Sequence, residues 1–278
     1  MIAWKQPLSG YEWLIHQIWY LEVEEGEVID PKPHLIPNPR AHLLITPPEQ
    51  RYQYESGEGR LSGFGSHLLT ASEHLLLLED TPPIKRIGIT FRPEGLHILN
   101  SGLSASLNQC GWFDWLTPLF DVAFQESLWR DTSKQGLSLA IKRHLDGLNL
   151  EPCTSKPYRM TQTVLAAMDQ QLVDIHRPLL DVEELAQLCL CSRRTLERSF
   201  KQIVGLSIKQ YQQMSRLEQM ILALYQRNSE VDWTAFSQQF GFSDQSHLIR
   251  TLKQQLKTTP NQYLKSRDLT IDVYGDFE

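Results

Sequence analysis

Hydrophobic and polar positions fall into short β-prone runs over the first ninety residues, and Gly and Pro turns separate these runs. Five of the runs predict β-strands: Leu14–Glu25, Ala41–Thr46, Arg51–Ser56, His74–Asp80 and Lys85–Phe91. This pattern is typical of a small barrel or sandwich. Such a domain can enclose a ligand, or its own side chains can fill it.

The pattern becomes helical further along the chain. Apolar residues recur at i, i+3 and i+4 and predict helices over Trp112–Trp129 and Lys134–Leu148. Between Leu148 and Arg159 two prolines and small polar residues interrupt the periodicity, which indicates a hinge. We therefore expect a first domain over residues 1–150, a linker over 151–160, a second domain over 161–267 and an acidic tail over 268–278.

The second domain opens with a capped pair of helices. Asp181 is a candidate N-cap, and Glu184 follows three residues later, which is the spacing of a capping box. The apolar face of this first short helix is then formed by Val182, Leu185 and Leu188. A tight turn follows.

The next helix carries an apolar stripe on one face and cations on the other. Ser192 can cap it, and Gly205 supplies a C-terminal stop. The apolar residues Leu196, Phe200 and Ile203 recur at i, i+4 and i+7, so they face the first helix. Burial of that stripe leaves the remaining long side chains outside: Arg193, Arg194, Glu197, Arg198 and Lys201.

Two helices joined by a tight turn, with cations at the exposed start of the second, form a helix-turn-helix that can enter a DNA major groove. Arginine can donate two hydrogen bonds to guanine, glutamate can accept from cytosine, and lysine neutralises phosphates. The candidate DNA-binding residues of this unit are Arg193, Arg194, Thr195, Glu197, Arg198 and Lys201. The alternative is a solvated surface helix that happens to be basic.

A later segment, Phe236–Leu264, repeats this architecture and weakens that alternative. Gly241 makes the turn, and Ser243 or Asp244 caps the following helix. The residues predicted to face inward are Phe236, Phe240, Leu248 and Leu252. The candidate DNA-binding residues left exposed are Gln245, Ser246, His247, Arg250 and Lys253.

The helical run Ser207–Asn228 joins the two units and contains no Pro or Gly. Some twenty residues at a rise of ~1.5 Å span about 30 Å, close to the ~34 Å of one turn of B-DNA. Two recognition helices held that far apart would meet two successive major grooves of double-stranded DNA.

The two predicted domains differ in net charge. Residues 1–150 carry 12 Lys and Arg against 18 Asp and Glu, a net charge of −6, whereas residues 158–267 carry 14 against 10, a net charge of +4. The sequence pI near 5.9 is therefore an average over an acidic first domain and a basic second domain.

Cysteine usage and the amino terminus indicate a cytoplasmic protein. The four cysteines, Cys110, Cys153, Cys189 and Cys191, lack the spacing of a disulfide framework or a zinc site. The first residues contain no basic segment leading into an apolar one, and no apolar run is long enough to span a membrane. Cys189 and Cys191 could form a redox pair, but two small buried cysteines in a tight turn are the simpler interpretation.

The sequence contains none of the catalytic motifs that we considered. The first domain contains no H-x-H pair, no nucleophile elbow and no phosphate-binding loop. We expect no catalytic residues, no metal and no cofactor, and we expect hydrogen-bonded or partly exposed histidines at His34, His42, His67, His74 and His97. An apolar or aromatic effector held among the tryptophans remains an alternative to a plain core.

The second domain resembles the DNA-binding domain of the AraC/XylS family of bacterial transcription regulators. The resemblance runs from Thr161 to Lys265 and rests on residues in the family's order: Leu185–Ala186, S-x-x-x-L-x-R-x-F-K from Ser192, Gly205, Tyr211, Arg216–Leu217, GFSDQS from Gly241 and T-P-x-x-Y from Thr259. It implies that bases are read from Arg194, Glu197 and Arg198 in the first unit, and from Gln245, Ser246, His247 and Arg250 in the second. Lys201 and Lys253 match phosphate contacts.

The sequence departs from the family pattern at several positions. Trp233 and Phe236 stand where aliphatic residues are usual, and Lys257 replaces a usual glycine. The linker helix is apolar over Met220–Tyr225, where charges are common in the family. We therefore predict that the N-terminal domain or a second subunit covers this part of the linker helix.

The first domain resembles, less specifically, the β-rich domain that accompanies such DNA-binding domains, chiefly over Ile89–Leu99. The implied fold class is α+β, with a barrel-like, cupin-like N-terminal domain with flanking helices and an all-α C-terminal domain. The implied function is an activating transcription regulator with effector-binding or dimerising ability. Its expected partners are double-stranded DNA, a small-molecule effector, RNA polymerase and a second copy of the chain, and not a membrane. The alternative function is a small-molecule-binding or enzymatic barrel whose helical domain is a protein-interaction scaffold.

Overall fold

A computed structural model describes residues 1–28, 34–100, 107–173, 180–225 and 231–265. It has an α+β architecture, with a β-rich N-terminal domain followed by a helical C-terminal domain, as predicted. The predicted acidic tail at 268–278 lies outside the described residues.

Ten strands in the described part of the N-terminal domain form two antiparallel sheets. One sheet has the order β1-β2-β9-β4-β7-β10 and consists of β1 (Ile2–Gln6), β2 (Ile15–Val23), β4 (His42–Ile45), β7 (His67–Leu69), β9 (Ile84–Phe91) and β10 (Cys110–Gly111). The other has the order β3-β8-β5-β6 and consists of β3 (His34–Leu35), β5 (Arg51–Ser56), β6 (Gly59–Phe64) and β8 (Leu76–Leu78).

Strand β2 shows why these strands form layers. Because successive side chains of a strand point to opposite faces, Trp19 and Leu21 pack between the two sheets, whereas Ile18 and Tyr20 pack on the outer face of the larger sheet. Trp19 lies directly against Gly88 on the paired strand β9, where a Cβ atom would overlap the indole ring. Only glycine fits at that position.

Helices cover the outer face of the larger sheet. These are α1 (Gly95–Leu99), α2 (Val122–Leu128) and α3 (Lys134–Gly147). The prediction of a helix over Trp112–Trp129 was too long, since only a 3-10 turn at Asp114–Leu116 precedes α2. The side chain of Asp121 caps α2 by accepting a hydrogen bond from the Phe124 amide, so the helix begins after that residue.

Large side chains pack between the two sheets in the described part of the domain. Trp19 and Tyr54 are buried there, and Arg86 forms a buried ion pair with Asp80. The Nδ1–H group of His67 donates to the Gly65 carbonyl at 2.9 Å, and its Nε2 atom accepts from the Tyr54 hydroxyl at 2.8 Å. Burial lowers the pKa of His67 to about 3, so this imidazole stays neutral.

We expected the histidines at positions 34, 42, 74 and 97 also to be hydrogen-bonded or partly exposed, and three of these four are. His42 is buried and lies 3.0 Å from the Thr90 hydroxyl, while His34 and His74 are partly exposed. His97 is buried, and its Nδ1 atom has no hydrogen-bond partner among the described residues. In the same ranges, no group of three or more His, Cys, Asp and Glu is placed to hold a metal ion.

The C-terminal domain consists of helices in the described ranges. They are α4 (Lys156–Val173), α5 (Val182–Leu188), α6 (Arg193–Val204), α7 (Ile208–Tyr225), α8 (Trp233–Gln239), α9 (Gln245–Leu256) and α10 (Pro260–Lys265). Helix α4 begins inside the predicted linker, whose last five residues are therefore helical. None of the helices in the described ranges is long and apolar enough to cross a membrane.

The N-terminal domain contacts the linker helix α7, and it is one of the two partners that the apolarity of this helix predicted. Ile36 and Leu75 belong to one buried cluster with Leu217, Met220 and Ile221 of α7. This cluster continues into the second helix-turn-helix unit. The linker helix therefore shares one buried cluster with two residues of the β-rich domain and with the second helix-turn-helix unit.

A buried ion pair also joins the N-terminal domain to the linker helix α7, beside this cluster. Arg40, in the loop after β3, donates two hydrogen bonds to the Glu218 carboxylate on α7, at 2.8 and 3.0 Å. The side chains are 14% and 4% exposed. A second contact runs from Gln210 of α7, whose amide donates to the Glu73 carboxylate.

Candidate nucleic-acid interface

The first helix-turn-helix unit consists of α5 and α6. Asp181 caps α5 by accepting from the Glu184 amide at 2.8 Å, and the Glu184 carboxylate accepts from the Asp181 amide at 2.9 Å. The predicted capping box is thus confirmed. The prediction that Leu188 is buried was wrong, because the buried side of this seven-residue helix passes through Leu185 and Ala186, and Leu188 is 56% exposed.

Both ends of helix α6 are capped by the residues that were predicted to cap them. The Ser192 hydroxyl accepts from the Thr195 amide at 3.3 Å, and Gly205 ends the helix with φ of 84°. Glycine adopts this left-handed conformation without steric cost. Leu196, Phe200 and Ile203 are buried as predicted, so the orientation of α6 about its own axis is set by the core.

The cations of α6 fall into two groups. Arg194, Arg198 and Lys201 are exposed and follow one another at i, i+4 and i+7, so they form one stripe on the helix. Arg193, in contrast, donates to Glu183 of α5 at 2.9 Å and to Glu197 at 3.2 Å. These two carboxylates hold Arg193 against its own unit.

The remaining candidates of α6 are less exposed than predicted. Glu197 and Thr195 are half-buried. The Thr195 hydroxyl lies 2.9 Å from the Ser192 hydroxyl, so it shares in the helix cap. Among the candidates of this unit, Arg194, Arg198 and Lys201 are therefore the side chains best placed to reach a ligand.

The second unit consists of α8 and α9. Asp232 caps α8, and Asp244, one of two predicted caps, accepts from the His247 amide at 2.8 Å at the start of α9. Gly241 makes the turn with φ of 65°. Lys257 ends α9 with φ of 57°, a conformation that favours glycine, which explains why glycine is usual there in the family that the sequence resembles.

The exposed face of α9 agrees with the prediction. All five predicted residues, Gln245, Ser246, His247, Arg250 and Lys253, are exposed. Four of them, Gln245, Ser246, Arg250 and Lys253, line an open groove together with Ile249, which was not predicted from the sequence. Ile249 lies four residues after Gln245 and four before Lys253. Residues at this spacing lie on the same side of a helix, so the sequence does contain the signal that places Ile249 beside them. An apolar side chain in this position can contact a thymine methyl group.

The linker helix orients both units. The Gln212 amide of α7 donates to the Leu180 carbonyl at 2.9 Å, just before α5. Arg216 of α7 donates to the Phe240 carbonyl in the turn of the second unit, and its guanidinium lies 4.0 Å from the centre of the Phe242 ring. Helix α7 has 18 residues. At ~1.5 Å per residue it spans about 27 Å. The last three residues of the predicted run, 226–228, lie outside the described residues.

The two cysteines beside the first turn have no disulfide. Cys189 and Cys191 are free and half-buried. Burial raises the pKa of the Cys189 thiol, which lowers its reactivity. This environment favours the packing role over the redox pair.

Comparison with known proteins supports the two-unit description. A family model described as a helix-turn-helix domain matches residues 185–266. An uncharacterized HTH-type transcriptional regulator of Haemophilus influenzae is 28% identical over 111 residues, which cover 40% of this chain and 35% of that protein. The chain thus spans about a third of the length of this relative.

Crystal structures of ToxT from Vibrio cholerae are similar over most of the chain. An apo variant of ToxT has a TM-score of 0.47 at 12% identity, covering 90% of this chain and 97% of that one. Wild-type ToxT bound to an unsaturated fatty acid has a TM-score of 0.43 at 14% identity, covering 90% and 94%.

Proposed function

We propose that this chain, whose residues 185–266 form an AraC-type helix-turn-helix domain, is a sequence-specific transcription regulator that binds double-stranded DNA. The observation that carries the proposal is the exposed polar face of both recognition helices, Arg194 to Lys201 on α6 and Gln245 to Lys253 on α9. Both helices are held by one linker helix. Two such faces fit two successive major grooves.

The individual roles follow from side-chain chemistry. Arg194 and Arg198 are proposed to read guanine, and Gln245 and Arg250 to read bases in the second groove. Lys201 and Lys253 are proposed to contact phosphates, which supply affinity but no sequence information. Glu197, Thr195, Ser246 and His247 would complete the base contacts, and Arg193 would contribute by holding α5 and α6 together.

The N-terminal domain is proposed to regulate rather than to catalyse. It contacts the linker helix through Arg40 and Glu73, so its state can influence how the two units are presented. A small-molecule effector, a second copy of the chain and RNA polymerase are the proposed further partners, with activation as the proposed outcome. A protein that reads chromosomal DNA would act in the bacterial cytoplasm.

Selection from a random-sequence duplex library, followed by affinity measurements at several salt concentrations, tests this proposal. We expect the selected duplex to bind at least about 10³-fold more tightly than a scrambled duplex. Its logarithmic affinity should fall linearly with the logarithm of salt concentration, with a slope of about −0.9 for each phosphate contact.

The result that would contradict the proposal is binding without sequence preference. Equal affinity for the selected duplex, the scrambled duplex and heparin would indicate a merely basic surface. It would favour the rival function, a barrel whose helical domain is a protein-interaction scaffold.

A further inference from the structure

A small cleft opens at the edge of the β-rich domain, between the β5–β6 hairpin and the loop from β7 to β8. Its volume is about 240 Å³. Leu61, Leu69 and Leu76 supply an apolar floor, and the last two are fully buried. An apolar floor with a few polar groups around it is the usual composition of a small-molecule site.

The rim of the cleft carries two side chains that pair with carboxylates. His74 and Arg60 both line it. His74 is paired with Glu58 at 3.1 Å, and Arg60 with Glu55 at 2.7 Å. The Glu58 side chain is 72% exposed. A contact with so exposed a carboxylate contributes little to stability, because water solvates Glu58 well. A ligand carboxylate seated on the apolar floor can therefore replace Glu58 beside His74.

The loop that lines the cleft also contacts the linker helix. Ser72 and His74 face the cleft. Glu73, between them, accepts the hydrogen bond from Gln210 of α7. Leu75, which follows His74, belongs to the buried cluster that includes Leu217 of α7. Four consecutive residues thus join the cleft to the helix that carries both DNA-binding units.

Side chains at the cleft hold the backbone of this loop. The Ser72 hydroxyl accepts from the His74 amide at 3.2 Å and donates to the His74 carbonyl at 3.1 Å. Asn108, which also lines the cleft, accepts from the Glu73 amide at 2.9 Å through its side-chain oxygen. A ligand that moves Ser72 or Asn108 must move Glu73, and with it the hydrogen bond to α7.

We infer that this cleft is an effector site, that it takes a small monocarboxylate with a compact apolar body, and that the β7–β8 loop transmits its occupancy to the linker helix. The regulatory consequence rests on the proposed function, but binding of the carboxylate does not require DNA. The volume suits one ring or a short branched chain, since a closed apolar cavity of about 150 Å³ holds benzene.

Ligand-observed NMR on the full chain without DNA tests the site. The probes are benzoate, cyclohexanecarboxylate and 3-methylbutanoate, each beside its amide. We expect at least one carboxylate to bind saturably and at least tenfold more tightly than its amide. Leu61→Trp, which fills the cleft, should abolish that binding, whereas Leu139→Trp, on the exposed side of α3, should leave it unchanged.

His74→Gln keeps the test decisive if Leu61→Trp fails to fold. This substitution removes the imidazole that contacts the carboxylate and should weaken carboxylate binding at least fivefold at an unchanged unfolding midpoint. The site is wrong if no carboxylate binds, if the amides bind equally well, or if binding survives both the Leu61 and the His74 substitutions.

Hydrogen exchange tests the coupling separately. The carboxylate that binds should change the exchange rates of amides around Gln210 at least threefold, and Gln210→Ala should reduce that effect. Binding without any change in α7 would overturn the coupling and leave the site standing. Because neither measurement contains DNA, a failure of the proposed function would not imitate either result.

Discussion

Replacement of Arg194 and Arg198 together by alanine is expected to weaken binding to the selected duplex by about 30-fold to 10⁴-fold, because each bidentate arginine–guanine contact is worth roughly 1–3 kcal/mol. Both side chains are exposed on one stripe of α6, and the buried Leu196 and Phe200 fix the direction in which that stripe faces. The loss should be measured as a ratio of affinities for the selected and scrambled duplexes at one salt concentration.

Controls separate base reading from general charge. Lys201→Ala with Lys253→Ala removes the same charge, and we expect it to weaken both duplexes alike and to reduce the salt slope by about 2. Arg143→Ala, on an exposed position of α3, should change neither affinity. The direct-readout assignment is wrong if the Arg194/Arg198 variant keeps the wild-type ratio of specific to nonspecific affinity.

Replacement of Glu218 by alanine is expected to lower the free energy of unfolding by about 3 kcal/mol, since removing one partner of a buried ion pair leaves the other charge uncompensated. Arg40 is 14% exposed and Glu218 4% exposed, so neither charge is well solvated by water. Arg40 has further interactions besides this pair, which keeps the expected loss at the lower end of the usual range.

Urea unfolding of a double-mutant cycle measures the interdomain pair. The single variants Glu218→Ala and Arg40→Met should each destabilise the protein, and the double variant should lose clearly less than their sum. Glu218→Gln, which keeps the volume and one acceptor, should fall between wild type and Glu218→Ala. Strictly additive losses would show that the two side chains do not act together across the domain boundary.

Local signals explain why the DNA-binding units could be predicted. Asp181, Ser192 and Gly205 act on helix ends within a few residues of themselves, and the stripe of α6 repeats at helical spacing. The structure therefore confirms the predicted helix caps and the buried apolar stripes of both units. Leu188 was misplaced because one residue at the end of a short helix can lie on either side of the buried face.

The β-rich domain was predicted less completely. The five expected strands correspond to β2, β4, β5, β8 and β9, but β3, β7 and β10 have only two or three residues and give no periodic pattern. Strand β6 was missed because it has an exposed, glycine-containing sequence. It is held by its pairing with β5 rather than by burial.

Contacts between the domains could be expected only in general terms. The apolar run of the linker helix predicted that something covers it, yet the partner of Glu218 is Arg40, 178 residues away in sequence. No local pattern joins the two positions. The cleft beside the β7–β8 loop depends on similar long-range packing, because Leu61, Leu76 and Asn108 come from separate segments.

Hydroxyl-radical footprinting of the selected duplex tests most directly the central claim, that two recognition helices on one linker helix read two successive major grooves. We predict two protected stretches on one face of the duplex, with centres about 10 base pairs apart. The Arg194→Ala/Arg198→Ala variant should lose one stretch before the other as the protein is diluted. A single protected stretch, or even protection along the whole duplex, would contradict the account.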